Sequence, residues 1–489
     1  MSRRASLLTL GLILISCQFP AVRPAPTPTA GPMQTAWEDR SIFAPGLVDS
    51  AQSILEGLPG ASVYHIDLEI SDGLTRVDGE ESVRYTNTET AALHEVQFRL
   101  FPNILGGHMD ITTIEVDGQE LVPRLSLGES VLHVALDPAL EPGQSVTIRI
   151  DFSVEVPESL SLNYGVLAYA EGVLALAHFY PMVEVFDDEG WNAEIPPQSG
   201  DVTYADVSFY IVSVTAPKEV TLVATGRELR RSESGRAQTV TFAAGPARDF
   251  YVAASSDYQM TETPAGATVI RFYAPASLEE GVRAAADIAA RALEDYGDRY
   301  APYPYTELDF VATPTLALGI EYPGMIAITA HIIGPQEPYL EGTIAHEVAH
   351  QWFYNLVGND QLDDPWLDES LAQFATLQYY TDEYGEVGAG GFRDSLLRRW
   401  SRVNGDLIPI GLPVAAYSDF EYGAIVYGRG PLFFEALRTE MGATKFDAFI
   451  KDYAQTYSWG IATPEGLQQT AESDCGCDLD PLFDAWVYP

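Results

Sequence analysis

The chain has 489 residues, about three times the length of a typical domain, which is long enough for two or three domains that each bury a core. Its 46% hydrophobic and 11% aromatic residues exclude a disordered protein, and no run approaches the ~20 apolar residues of a membrane-spanning helix. With 27 Lys+Arg against 70 Asp+Glu, the formal net charge is −43, which argues against nucleic acid as a partner because a polyanion would be repelled.

The beginning of the chain has the pattern of an export signal. Two arginines precede the short apolar stretch Leu7–Ile15, and Ser16 and Cys17 follow it. This pattern resembles a bacterial lipobox, which implies lipidation of Cys17; an ordinary secretory signal is the alternative. We therefore expect a signal peptide at 1–16 and a lipid-anchored Pro/Thr-rich tether at 17–58. The expected location is the bacterial cell envelope outside the cytoplasm, with membrane contact through lipidated Cys17 only.

The next part of the chain has the two-residue period of β-strands. Apolar and polar residues alternate in short runs such as Tyr64–Ile70 and Val146–Val154. Asp-Gly pairs, which favour tight turns, separate several runs at Asp72-Gly73, Asp78-Gly79 and Asp117-Gly118. The pattern predicts an antiparallel β-saddle or β-sandwich domain at 59–262.

The remainder, 263–489, has mainly the three- and four-residue spacing of helices. Predicted helices are one around Val282–Tyr296 ending near Gly297, Thr343–Val357 stopped by Gly358, and Asp368–Tyr384 stopped by Gly385. Predicted strands are Leu308–Thr313 and Ile320–Thr329. The expected fold class is therefore multidomain, an N-terminal antiparallel β domain followed by a mostly helical α+β domain.

One motif in the predicted helix 343–357 carries chemistry, His346-Glu347-Val348-Ala349-His350. Residues four apart share a helical face, so the two imidazoles can reach one metal ion while Glu347 stands beside an open coordination position. Glu369 begins the next predicted helix, so two helices that fold back on each other can supply a carboxylate as third ligand. His346, His350 and Glu369 predict an open, catalytic zinc site with Glu347 as general base; two histidines that merely pack on a helix face are the alternative.

These residues resemble a family, the gluzincin zinc metallopeptidases, and specifically the group of membrane alanyl aminopeptidases and leukotriene hydrolases. Four stretches carry the resemblance: HEVAHQWFYNLVGND at 346–360, WLDESLAQF at 366–374, VQFRLFPN at 96–103 and DPLFDAW at 480–486. The first two are similar to the family's zinc helices, the third to its β domain and the last to the end of its catalytic domain. The resemblance implies a β-saddle followed by a thermolysin-like zinc peptidase domain at 263–489, without the helical C-terminal domain of the large members.

The resemblance also implies substrate-binding residues. The family's Gly-Ala-Met-Glu-Asn motif corresponds to residues 318–322, which place Gly319 on the substrate-edge strand and Glu321 at the α-ammonium of a bound peptide. The family's Tyr-x-Lys-Gly segment corresponds to 427–430, which implies that Tyr427 donates a hydrogen bond to the oxyanion, with Tyr422 as a rival. A Gln or Glu from the family's β domain also lies beside the amine; His178 is the nearest candidate here, and packing against a sheet is the favoured alternative for it.

The function implied is a zinc-dependent aminopeptidase with one Zn²⁺ ion, which acts on peptides outside the cytoplasm through a metal-activated water and the general base Glu347. An endopeptidase or a broader hydrolase with an open cleft is an alternative. Epoxide hydrolysis is one activity that such a hydrolase could have. A catalytically silent tethered scaffold is the alternative from another class.

Cys475 and Cys477 either form a small disulfide loop or remain two thiols.

Overall fold

The computed structural model describes residues 36–197, 200–404 and 408–488. The expected signal peptide and Cys17 lie outside the described residues. Within the described ranges, every helix is too short or too polar to cross a bilayer.

The first described segment is folded onto the rest of the molecule. Short 3₁₀ turns at Ser41–Gly46 and Asp49–Ala51 precede helix α1, Ile54–Gly57. Phe43 and Leu47 are each 2% exposed and pack with Phe209 of the β-rich part. These residues, which we included in the tether at 17–58, therefore cover the β-rich part instead of forming an extended spacer.

The β-rich part follows. Its strands are β1 Ser62–Ile70, β2 Arg76–Thr86, β3 Leu93–Arg99, β4 His108–Val116, β5 Gln119–Leu121, β6 Arg124–Ser126, β7 Val131–Leu140, β8 Ser145–Glu155, β9 Leu167–Ala170, β10 Val173–Leu176, β11 Met182–Val183, β12 Phe186–Asp187, β13 Gly190–Trp191, β14 Ser208–Pro217, β15 Thr221–Ala224, β16 Arg227–Ser234, β17 Ala237–Ala247 and β18 Val252–Ser255.

These strands form an eight-stranded sheet in the order β16-β17-β14-β1-β2-β8-β4-β5, two four-stranded sheets and a small hairpin. All neighbours in the large sheet are antiparallel except the parallel pair β1 and β14. The predicted turn at Asp78-Gly79 is wrong, since both residues lie within β2. A Cβ atom at Gly79 would lie 2.3 Å from the Phe152 ring, so this glycine leaves room for a neighbouring aromatic side chain.

The second part combines a sheet with helices. Its elements are β19 Tyr258–Ala265, β20 Thr268–Pro275, α2 Glu279–Arg299, β21 Glu307–Thr313, β22 Gly319–Tyr322, β23 Met325–Thr329, α3 Leu340–Ala349, α4 Glu369–Trp400, α5 Asp419–Ala424, α6 Gly430–Met441, α7 Ala443–Thr456, α8 Pro464–Cys475 and α9 Asp480–Trp486. The five-stranded sheet has the order β19-β20-β21-β23-β22, so β22 forms an edge.

The expected architecture, an antiparallel β domain followed by a helix-rich α+β part, is confirmed. Strand β19 spans the expected boundary at residue 262 and pairs within the second sheet. The predicted single strand Ile320–Thr329 is the hairpin of β22 and β23. Helix α4 is interrupted at Gly385, the predicted stop, which has φ 68°, and the helix then continues to Trp400. Cys475 and Cys477 form a disulfide.

Candidate metal centre and substrate cleft

The imidazoles of His346 and His350 converge. The two residues lie at the end of α3, and their Nε2 atoms are 3.3 Å apart. Nδ1 of His350 lies 2.9 Å from the carbonyl oxygen of Phe353. Donation of the Nδ1 proton to that carbonyl leaves a lone pair on Nε2, the arrangement of a metal-binding imidazole.

Glu369 supplies a third ligand atom at the beginning of α4. Its Oε2 lies 3.2 Å from Nε2 of His346 and 3.5 Å from Nε2 of His350. Ligands of a tetrahedral zinc ion, at ~2.0–2.1 Å from the metal, are about 3.3 Å apart. Oε2 of Glu369 is buried without a hydrogen-bond partner among the described residues. The nitrogen and oxygen donors, their spacing and this unpartnered oxygen fit a zinc ion.

The electrostatics of these three residues also suit a cation. Burial lowers the pKa of His346, which favours the neutral ring that binds metal. Burial acts to raise the pKa of Glu369, but the imidazoles of His350 and His346 outweigh it and hold that pKa well below its usual range. Burial acts to lower the pKa of His350, but the carboxylates of Glu321 and Glu369 outweigh it and raise that pKa. The buried carboxylates thus create a negative field that a divalent ion would neutralise.

Glu347 lies beside this triad, where the sequence predicts a general base. A carboxylate oxygen of Glu347 lies within 4.8 Å of a carboxylate oxygen of Glu321 and of a ring nitrogen of His350, and these two atoms lie within the same distance of each other. The Glu347 carboxylate packs against the backbone of Gly319 on the edge strand β22. Burial, with a smaller contribution from Glu321, raises the pKa of Glu347 well above its ordinary value. A raised pKa makes a carboxylate a better proton acceptor during catalysis.

Glu321 lies on β22, where it is 6% exposed and faces the cleft. Nε2 of Gln361 lies 3.4 Å from Oε1 of Glu321 and donates a 2.8 Å hydrogen bond to Oδ2 of Asp368. The same glutamine accepts a hydrogen bond at Oε1 from the backbone N–H of Thr203, a residue of the β-rich part. Gln361 therefore links the predicted amine-binding carboxylate to both parts of the molecule.

The β-rich part contributes Asp201 to the cleft, whereas His178 packs inside the protein, the alternative that we favour for it from the sequence. His178 is buried between sheets, with Nε2 3.0 Å from Oγ1 of Thr203 and 3.4 Å from Oδ2 of Asp249. Asp201 instead lines the cleft and interacts electrostatically with Glu321 and Glu369. Asp201 has no predictive signal in the sequence, because it stands in an aperiodic loop where only the neighbouring Gly200 indicates a turn.

Tyr427 lies in a π-helical turn, Ile425–Arg429, between α5 and α6. Its hydroxyl donates a hydrogen bond to Oε1 of Glu369, and its ring centroid lies 6.0 Å from that of His346. Tyr422 packs edge-on against Tyr427 at 5.7 Å. Tyr427 is thus the tyrosine that contacts the metal triad, and π-helical turns of this kind are frequent at functional sites.

Arg429 occupies the position at which the resembled family has lysine. Its guanidinium binds backbone carbonyl groups and so has a structural role. It is 4% exposed, and its guanidinium donates to the carbonyl oxygens of Ile408, Ala485 and Trp486. These contacts attach the turn that carries Tyr427 to the end of the described chain.

All seven predicted site residues border one cleft of about 720 Å³ or lie at its base. Its lining includes His346, Glu347, Glu369, Gly319, Glu321 and Tyr427, while His350 lies behind His346 and is fully buried. Tyr380, Phe392, Ser395 and Arg399 of α4 line it as well.

Comparisons with known proteins agree with this geometry. Residues 284–486 match the model of the Peptidase family M1 domain. Aminopeptidase 2 of Candida albicans is 22% identical over 450 residues, which are 86% of this chain and 46% of that protein. Aminopeptidase M1-B of Oryza sativa subsp. japonica is 25% identical over 300 residues, 56% of this chain and 34% of that protein. The chain thus spans between a third and a half of the length of these two curated relatives.

The fold comparison covers more of the chain. The crystal structure of an M1 zinc metallopeptidase from Deinococcus radiodurans superposes with a TM-score of 0.68 and 20% sequence identity, over 87% of this chain and 93% of that one. The likeness therefore includes both the β-rich part and the helix-rich part. This likeness shows a shared fold, and the zinc-helix motifs lie within residues 284–486, the part that matches the M1 domain; together these findings support an M1-type zinc metallopeptidase.

Proposed function

We propose that this chain is a zinc-dependent aminopeptidase that removes N-terminal residues from peptides. The observation that carries the proposal is the convergence of Nε2 of His346, Nε2 of His350 and Oε2 of Glu369 within 3.5 Å, in the same cleft as the carboxylate of Glu321. The aminopeptidase relatives and the domain match support it.

In this proposal, His346, His350 and Glu369 hold the ion. Zinc in such a site acts as a Lewis acid on the scissile carbonyl and lowers the pKa of a water toward ~7. Glu347 accepts the proton of the attacking water and transfers it to the leaving nitrogen. Tyr427 donates a hydrogen bond to the oxyanion, and Glu321 binds the substrate's ammonium, with the carboxyl group of Asp201 nearby.

Metal analysis together with a general-base variant tests the reaction. We expect Glu347→Gln to bind zinc as the wild type does and to hydrolyse leucyl aminomethylcoumarin at least about a thousandfold more slowly. Glu341→Gln is the matched control, since Glu341 lies on the same helix and binds Tyr379 and Tyr384 instead of facing the cleft. Chelation should abolish activity and zinc should restore it; full activity of Glu347→Gln would contradict the mechanism.

A blocked amine separates an aminopeptidase from an endopeptidase. If Glu321 binds the free ammonium, the wild type cleaves a free peptide and leaves its N-acetylated copy intact. Glu321→Gln should raise KM for the free peptide more than it lowers kcat, because the lost contact lies away from the reacting atoms. Internal cleavage of the acetylated peptide would favour the endopeptidase, and stoichiometric zinc without any hydrolysis would favour a silent scaffold.

We also propose that the protein acts outside the cytoplasm, anchored through lipidated Cys17. The basic start, the apolar stretch and Cys17 support this location, and the disulfide between Cys475 and Cys477 is of a kind that persists in oxidising compartments. In a bacterial host, mass spectrometry of the mature N-terminus should find a lipid on Cys17, and Cys17→Ser should move the protein to the soluble fraction. An unmodified, unprocessed N-terminus in the cytosol would contradict this proposal.

A further inference from the structure

Glu321, the carboxylate that we assign to the substrate's ammonium, lies among other acidic groups on a sheet edge. Its backbone is on the edge strand β22 and pairs with Ile326 of β23 on one side only. Burial raises the pKa of Glu321, and the nearby carboxyl groups of Glu369 and Asp249 act in the same direction. An ionised carboxylate in such surroundings is stabilised at one place only where a hydrogen-bond donor meets it.

Among the described side chains, only that of Gln361 donates a hydrogen bond to Glu321. Its amide nitrogen Nε2 lies 3.4 Å from Oε1 of Glu321 and 2.8 Å from Oδ2 of Asp368. A primary amide carries two N–H donors, so this one nitrogen can serve both carboxyl groups. Gln361 is 2% exposed, and bulk water therefore has little access to the amide.

The carbonyl side of the same amide fixes its orientation. Oε1 of Gln361 accepts a 3.2 Å hydrogen bond from the backbone N–H of Thr203 in the β-rich part. An amide turned by 180° would place Oε1 against the two carboxyl groups and Nε2 against that N–H, so all three contacts would be lost. Glutamine has both the donors and the acceptor that this place requires, whereas an ionised glutamate has no donor and methionine has neither.

The backbone that carries Gln361 is also held in place. Residue 361 lies in the connection between α3 and α4. Oδ1 of Asp360 accepts hydrogen bonds from the N–H groups of Leu362 at 2.8 Å and Asp363 at 3.1 Å. The carbonyl oxygen of Leu362 accepts a 2.8 Å hydrogen bond from the N–H of Val414. A side chain on such a braced turn can hold its partner in one geometry.

We propose that Gln361 is a positioning residue, which holds the carboxylate of Glu321 where it meets the substrate's ammonium. Gln361 does not line the cleft itself, so its effect on a substrate passes through Glu321. Through the contact with Thr203, the backbone of the β-rich part then takes part in the selection of a free N-terminus. This inference rests on the proposed aminopeptidase function.

A pair of ligands isolates the ammonium contact. Leucine hydroxamate carries a free ammonium beside its zinc-binding group, whereas 4-methylpentanoyl hydroxamate has the same side chain and zinc-binding group without the amine. Isothermal titration calorimetry of the zinc-loaded protein measures the affinity of both. We expect the wild type to bind leucine hydroxamate at least about tenfold more tightly, the effect of one charge-assisted hydrogen bond.

Two substitutions of Gln361 remove the donors. Gln361→Met should reduce this selectivity about fivefold or more, while the affinity for 4-methylpentanoyl hydroxamate stays within about twofold of wild type. Gln361→Glu keeps the side chain's size and the acceptor for the N–H of Thr203, and it should lose the selectivity as well. Zinc content and the thermal unfolding midpoint establish that each variant is folded and loaded.

A double mutant tests whether Gln361 acts through Glu321. In the Glu321→Gln background, Gln361→Met should change the affinity for leucine hydroxamate by less than about twofold, because residues of one network have non-additive effects. Additive losses would overturn the inference. Equal losses for the two hydroxamates would overturn it too, since they would show that Gln361 acts on the zinc site through Asp368, whose Oδ1 accepts the N–H of Glu369 at 2.7 Å.

Gln468→Met is the matched control. Gln468 is 9% exposed and does not line the cleft; its Nε2 donates to Asp480 at 2.8 Å and its Oε1 accepts from the hydroxyl of Tyr488 at 2.9 Å. It should keep the wild-type selectivity. A wild type that binds both hydroxamates equally would refute the ammonium site of the proposed function, whereas selectivity that survives in Gln361→Met would refute only the role of Gln361.

Discussion

Gly319 and Glu347 are packed so closely that a Cβ atom at Gly319 would lie 2.4 Å from Oε1 of Glu347. The glycine lies on the edge strand β22 and pairs with Ile328 of β23. The pairing with β23 therefore fixes the backbone of residue 319 on one side. Real Cβ atoms do not approach neighbours to this distance. A side chain at residue 319 must therefore displace the carboxylate that we assign as general base.

We expect Gly319→Ala to lower kcat about a hundredfold while zinc content stays at the wild-type level. The reason is that a displacement of about 1 Å in a reacting group costs on the order of a hundredfold in rate. Steady-state kinetics with leucyl aminomethylcoumarin and metal analysis measure both quantities.

Gly423→Ala is its matched control. Gly423 lines the same cleft, and a Cβ atom there would meet nothing within 4 Å. Its kcat should stay within a few-fold of wild type. Equal losses in both variants would show that any added methyl group in the cleft is harmful, and the contact with Glu347 would not be the cause.

The phenol of Tyr427 gives a second prediction. We expect Tyr427→Phe to lower kcat by about 10²–10³-fold with little change in KM, because removal of one oxyanion donor has an effect of that size. Tyr422→Phe removes the neighbouring hydroxyl and should cost less than tenfold. If Tyr422→Phe gives the larger loss, Tyr422 is the donor and the resemblance has assigned the role to the wrong tyrosine.

The ligands of the metal site could be predicted from the sequence because their signal is local. Four-residue spacing puts His346 and His350 on one helical face, and Glu369 begins the helix that follows. Asp201 could not be predicted, since it reaches the cleft only through the contact between the β-rich part and the second sheet. Arg399 is one of several arginines near the end of α4, and only the fold shows which of them faces the cleft.

The end of α3 shows a further limit of sequence patterns. Residues 350–357 are buried and mostly apolar, which favours a helix as far as Val357, yet α3 ends at Ala349. Tyr354 has φ 138°, and the carbonyl oxygens of Tyr354 and Asn355 accept hydrogen bonds from Arg248 at 2.6 and 3.0 Å. The positive φ of Tyr354 ends the helical conformation, and Arg248 supplies donors to the carbonyl groups that follow it.

Arg248 gives the third prediction, because its guanidinium also donates to the carbonyl oxygens of Ala205 at 3.0 Å and Gly460 at 2.6 Å. Arg248→Met would leave several buried carbonyl groups without donors, each costing about 1–3 kcal/mol. We expect the free energy of unfolding, measured in urea, to fall by at least about 3 kcal/mol. Arg398→Met, at an exposed position, should change it by less than about 0.5 kcal/mol; a similarly small effect of Arg248→Met would contradict the structural role.

The last prediction concerns Glu81, a carboxyl group in the core of the β-rich part. Glu81 is 0% exposed, lies between Ile66 of β1 and Ile150 of β8, and neither of its carboxyl oxygens has a hydrogen-bond partner among the described residues. Burial raises the pKa of Glu81 well above its ordinary value. The folded protein therefore holds a proton on this group at pH values where the unfolded chain, with a pKa of about 4.3, has lost it.

This proton makes stability fall as pH rises. Above the unfolded pKa the native state binds one proton more, so the contribution of Glu81 to the free energy of unfolding decreases by about 1.4 kcal/mol per pH unit until the folded pKa is reached. Glu81→Gln removes that dependence, and its advantage over the wild type should therefore grow between pH 5 and 8. Glu80→Gln is the control: Arg149 lowers the pKa of Glu80, so this group is ionised in both states over that range and its difference from wild type should stay flat. A flat difference for Glu81→Gln as well would mean that Glu81 is already ionised in the folded protein and that a cation or water reaches it.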